Sequence, residues 1–138
     1  MKLLINIFIL LFINGSLFAS ANHFNEGVNY YENDNLDKAK FKFEQDLVLN
    51  PKSEKSYLYL SKIFNIKKNK KLEEQNLNTV ILLNPKNEEA TYNLAKLKLE
   101  ASDYKESKKL IDQLNKFCKS YCAKSKKLEI EITKSLKK

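Results

Sequence analysis

The chain has 138 residues, only two glycines and two prolines, and a formal net charge of +8. All 25 of its basic residues are lysine, so the bidentate guanidinium fork that best reads phosphate is missing, which weighs against nucleic acid as a partner. The single histidine, His23, excludes a His-based metal cluster. There is no Gly-rich phosphate loop, and no Ser or Cys stands near a base, so neither catalysis nor a cofactor is expected. The charge reads as solvated surface.

The first element is Met1-Lys2, an apolar run from Leu3 to Ile13, and a small, polar end at Ala19-Ser20-Ala21. These are the three parts of a secretory signal peptide, expected over 1–21, with cleavage after Ala21. The apolar run is short for a membrane span, which leaves an uncleaved anchor as the alternative. No cysteine follows the run to carry a lipid. A periplasmic or secreted protein is expected.

The remainder repeats itself every 34 residues. "DLVLNPKSE" from Asp46 and "VILLNPKNE" from Val80 carry both prolines, Pro51 and Pro85. Gly27, Ser61 and Ala95 form a small column, Phe43, Leu77 and Ile111 a large apolar one, and Tyr30 with Phe64 an aromatic one whose third member is Lys98. Spacings of three and four within each unit predict helices. Turns are expected at 32–35, 67–71 and 101–103, with Ser53, Asn87 and Ser102 as N-caps. Each unit is thus a helix, a turn and a second helix stopped by Asn-Pro. Such a hairpin cannot bury its apolar face alone and must stack on its neighbours.

These residues resemble the tetratricopeptide repeat, whose pattern is aromatic, Leu-small, aromatic, Ala, Phe, Pro. The first unit reads His23, Glu26-Gly27, Tyr30, Ala39, Phe43, Pro51. The second reads Tyr57, Leu60-Ser61, Phe64, Glu73, Leu77, Pro85. The third reads Thr91, Leu94-Ala95, Lys98, Ser107, Ile111 and departs from the pattern at Lys98 and Lys119. The resemblance implies an all-α solenoid of three hairpins, at about 20–53, 54–87 and 88–121, closed by a capping helix over 122–138. Glu129 stands in the small slot of that last helix, which a terminal helix with no successor tolerates.

Cys118 and Cys122 would lie too far apart for a disulfide on one continuous helix. They align instead with the inter-repeat turn, where the backbone bends, and an exported chain meets an oxidising compartment. A structural disulfide is expected there, with two free thiols, or a redox or metal site, as alternatives.

The resemblance further implies that the first helix of each hairpin lines a concave face. That face would hold Phe24, Val28, Tyr31, Leu58, Lys62, Asn65, Tyr92, Lys96 and Leu99. Their apolar members serve either a ligand groove or packing against neighbouring helices. The family's carboxylate clamp is not reproduced, because Phe24 and Val28 occupy two of its places. The implied function is non-enzymatic binding of a peptide or helix in the cell envelope, with Lys62 and Lys96 favouring an acidic partner. The alternative is contact of Lys67, Lys68, Lys70 and Lys71 with anionic lipid or cell-wall polymer.

Overall fold

The computed structural model describes residues 22–137. The expected signal peptide, 1–21, lies outside them. Among the described residues every regular element is a helix: α1 (22–32), α2 (Leu36–Leu49), α3 (Glu54–Ile66), α4 (Lys70–Leu83), α5 (Glu88–Glu100), α6 (Tyr104–Leu114) and α7 (Cys122–Leu136). From α2 onward each packs on its chain neighbour, α1 lies against α2 through Gly27 and Phe43 and through the Glu26–Lys42 pair, and α7 also touches α5. The result is an all-α solenoid of three hairpins with α7 across its end. No described helix is long and apolar enough to cross a membrane.

All three hairpins close by the same device. The first helix runs into a residue in the left-handed region, Asp34 (φ 56°), Lys68 (φ 56°) or Ser102 (φ 62°), each 34 places from the next. The N–H of that residue donates to Tyr31, Asn65 or Leu99 O, and the next N–H donates to Tyr30, Phe64 or Lys98 O. These paired bonds are the Schellman pattern, which satisfies carbonyls a helix end would orphan. The next residue also caps the second helix. Asn35, Asn69 and Asp103 accept from the N–H of Lys38, Leu72 and Glu106. Asp103, not Ser102, is therefore the N-cap of α6, because Ser102 is already used in the left-handed turn. Asn87 caps α5 as expected, accepting from Ala90 N–H at 2.8 Å. Ser53 makes no side-chain cap. Its hydroxyl donates to Ser56 Oγ at 3.0 Å, and Ser56 donates in turn to the buried carboxylate of Asp46 at 2.5 Å. One period later the same places hold Val80 and Ala90, so this junction is polar once and apolar once.

The small column works by contact. A Cβ on Gly27 would meet three ring atoms of Phe43 at 2.7, 2.8 and 3.0 Å. Phe43 is fully buried and stacks on Tyr59 with ring centroids 4.9 Å apart. The column partners of Ser61 and Ala95 are the smaller Leu77 and Ile111, both fully buried. The smallest residue thus pairs with the bulkiest one, as close packing at constant volume requires.

The inter-repeat turns answer to the prolines and to the glutamates that follow. Asn50 (ψ 77°) and Asn84 (ψ 91°) leave the helical region, as the residue before a proline must. Glu54 reaches one repeat forward and accepts from Asn84 Nδ2 at 3.0 Å and Asn87 Nδ2 at 2.5 Å. Glu88 does the same at the third junction, where its carboxylate accepts from the backbone N–H of Lys119, Ser120 and Tyr121 at 2.8 to 2.9 Å. Lys119 stands in the proline column, and this bond explains why: a proline there has no N–H to give. The bonds from Lys119 and Tyr121, partly opposed by burial, hold the Glu88 carboxyl below its ordinary range.

The disulfide Cys118–Cys122 spans the same junction, with Cα atoms 5.3 Å apart. Cys118 follows the turn after α6, and Cys122 is the first residue of α7. The other departure in the third repeat, Lys98, is also accounted for. Its ammonium bonds Glu74 on α4 at 2.6 Å, and that bond, more than any other influence, raises its pKa. Glu129 on α7 accepts from Asn115 at 3.3 Å.

Candidate functional site

The face built from α1, α3 and α5 carries a cavity of about 150 Å³. Tyr31 of α1, Lys62 and Asn65 of α3, and Lys96 and Asn93 of α5 line it, with Glu73 of α4 behind them. Helical spacing explains the set. Lys62, Asn65 and Ile66 lie three and four apart on one face of α3, as do Asn93, Lys96, Leu97 and Glu100 on α5.

The site is polar and carries both signs of charge. Glu73 is buried and accepts from Asn65 Nδ2 at 2.9 Å. Burial pushes its carboxyl above the ordinary range, the Asn65 bond works against that shift, and the Glu100 charge adds to it. Lys62 is held between Glu89, at 2.9 Å, and the ring of Tyr59, 4.9 Å from its centroid. Such a doubly held ammonium is a fixed donor. Lys96 is exposed at the opening. Glu100 pairs with Lys70 at 3.4 Å.

Four of the nine residues expected on the concave face line this cavity: Tyr31, Lys62, Asn65 and Lys96. The other five are half-buried in packing. Phe24 lies against Phe43 and Tyr59, at 5.7 and 5.8 Å between ring centroids, and Val28 joins the same cluster. Leu58, Tyr92 and Leu99 pack on the core shared by α4 to α7. Tyr92 meets Tyr121, beside the disulfide, at 5.5 Å between ring centroids.

Sequence reasoning missed Ser61, Ile66, Glu73, Asn93, Leu97 and Glu100 as lining residues. Ile66 and Glu100 sit five places beyond the small column in successive repeats, so one further step along the same face reaches both. Glu73 offered no such signal, because its column holds Ala39 and Ser107, both packing residues. Tyr59 was missed too, although three aromatic rings and Lys62 converge on it. Of the lysine run at the second hairpin turn, Lys67 is bonded to Asp37 and Lys70 to Glu100. Among the described residues no group of three or more His, Cys, Asp and Glu is placed to hold a metal ion.

No family model matches the sequence, and no curated relative matches it. Solved structures do match its fold. The first tetratricopeptide domain of Spaghetti (RPAP3), bound to the HSP90 peptide SRMEEVD, is similar with a TM-score of 0.77 and 13% identity over 87% of this chain and 97% of that one. The TPR2B domain of yeast Sti1, solved in complex with pHsp70, gives 0.77 and 12% over 85% and 98%. Pseudomonas aeruginosa PilF gives 0.73 and 16% over 89% of this chain and 56% of that one.

Proposed function

We propose that this chain, whose fold is that of the tetratricopeptide-repeat proteins, is a non-enzymatic interaction module that binds an extended peptide or helix across α1, α3 and α5. One observation carries the reading: the cavity on this face presents a fixed donor in Lys62, an exposed one in Lys96 and a buried acceptor in Glu73. Few, well-placed polar groups on a concave surface are what orients a bound chain. One neighbour in fold was solved with a bound peptide and another in a complex with pHsp70, which supports this use of the architecture. An acidic group of the partner would meet Lys96 first, while Glu73 and Glu100 favour a donor beside it. A partner bearing both kinds of group fits better than a uniformly acidic one. The signal-like segment at 1–21 supports a working place in the cell envelope.

Selection of peptides from a random library on the full chain tests this. Peptides so obtained should lose about tenfold or more in affinity on Lys96→Glu with Asn93→Ala, as removal of groups central to an interface does. Helix content by circular dichroism should stay unchanged. If the selected peptides bind the double variant as well as the parent, this face is not the site.

A further inference from the structure

A second surface lies at the far ends of the hairpins. Successive helices run antiparallel, so the inter-repeat turns share one rim, opposite the turns within hairpins. Val48 and Leu82 occupy the same place in successive repeats at this rim, and they are 80% and 81% exposed. Leu49 is exposed beside Val48, Lys52 and Lys86 follow the two prolines, and Lys116 takes the third place of the Val48 column. Apolar side chains left this open in each of two repeats, with lysines next to them, need a reason that packing does not supply.

We infer that this rim docks on an anionic lipid bilayer, with Val48, Leu49 and Leu82 entering the interface and Lys52, Lys86 and Lys116 meeting the headgroups.

Charge complementarity argues for that occupant. The acids near the rim are turned to internal partners. Asp46 is buried and bonded by Ser56, Glu54 accepts from Asn84 and Asn87, and Glu88 accepts from three backbone N–H groups. Lys52, Lys86 and Lys116 form no ion pair with any described residue. The rim is therefore basic and apolar together, which is the pattern of an interfacial surface. Chain direction adds a second argument. Along the first hairpin, Lys38 lies over the Tyr30 ring and Glu26 pairs with Lys42, so Asn22 falls beside the end of α2 that bears Val48. The described chain thus starts at this rim, which is where the segment 1–21 would enter the fold if it were retained as an anchor. The groove lies on another face, and this inference does not rest on it.

The chain has no tryptophan, so Leu82→Trp in the full chain is a clean reporter. Its indole emission should shift to the blue on vesicles rich in phosphatidylglycerol, revert with added salt, and stay unshifted on phosphatidylcholine alone. Lys52→Glu with Lys86→Glu should lower partition onto the anionic vesicles by about tenfold or more. Lys68→Glu with Lys71→Glu, at the opposite rim, should leave the shift in place. Three results would overturn the inference. The chain could sediment with vesicles while the indole stays water-exposed, which would assign binding to the apolar leader. The shift could appear without lipid and grow with protein concentration, which would assign the rim to a second copy. Or reversing Lys52 and Lys86 could leave partition unchanged.

Discussion

The contact between Gly27 and Phe43 allows a quantitative test of how the repeats are sized. Gly27→Ala places a methyl at 2.7 to 3.0 Å from the Phe43 ring. The ring has nowhere to go, since it is fully buried, stacked on Tyr59 and flanked by Phe24. Overpacking of this kind costs about 1–3 kcal/mol. Alanine in place of glycine inside a helix returns about 1 kcal/mol, so the single variant should lose about 1 kcal/mol net. Phe43→Ile alone should lose about 1–2 kcal/mol by leaving space beside Tyr59. Together the two changes reproduce the Ala95 and Ile111 pair of the third repeat, and the added methyl fills part of the space the ring vacates. The double variant should therefore be more stable than the sum of the singles by about 1 kcal/mol. Urea unfolding followed by circular dichroism measures all four corners of the cycle. Additivity within about 0.5 kcal/mol, the behaviour of independent sites, would refute the claim that the columns are matched in size.

Relief of the left-handed turns should stabilise the fold: Ser102→Gly removes the Cβ strain at φ 62° and should raise stability by about 0.5–1 kcal/mol, read as a higher melting temperature. Valine at the same place should lower it. Glu88→Gln should speed hydrogen exchange at the N–H groups of Lys119, Ser120 and Tyr121 while leaving α1 to α4 unchanged. The Glu88 carboxyl titrates below its ordinary value of 4.5 in the fold, so its contribution is complete above that pH and is lost as pH falls through the lower, folded-state value. The environment of Tyr121 in near-ultraviolet circular dichroism should change over the same acid range, and a parent chain whose α7 junction shows no acid transition would contradict this. Reduction of Cys118–Cys122 should loosen α7 without unfolding the hairpins, because the loop it closes is small and the chain-entropy gain from so short a loop is modest. Loss of the whole helical signal on reduction would contradict that.

The sequence alone determined whatever is local or repeated. The 34-residue period, the small and large columns and the Asn-Pro stops are set by spacings along one chain, so helices, hairpins and their order could be read directly. The alignment of Cys118 and Cys122 with an inter-repeat turn was legible for the same reason. Tertiary structure decided which partner each exposed-looking face meets. Helical periodicity tells that Phe24, Val28 and Tyr92 lie on the inner side of their helices. It does not tell that Tyr59 and Tyr121 come across to cover them, because those contacts join segments about 30 residues apart. The caps divide likewise. Asn87 caps by local geometry, but whether Ser53 caps its own helix depends on Ser56 and Asp46, which draw its hydroxyl elsewhere. Lys119 shows the limit most plainly. In sequence it is a departure from the proline column, and only the carboxylate of Glu88, 31 residues earlier, makes its N–H necessary. A backbone donor is present at every residue but proline, so its use is visible only once the acceptor has been brought to it.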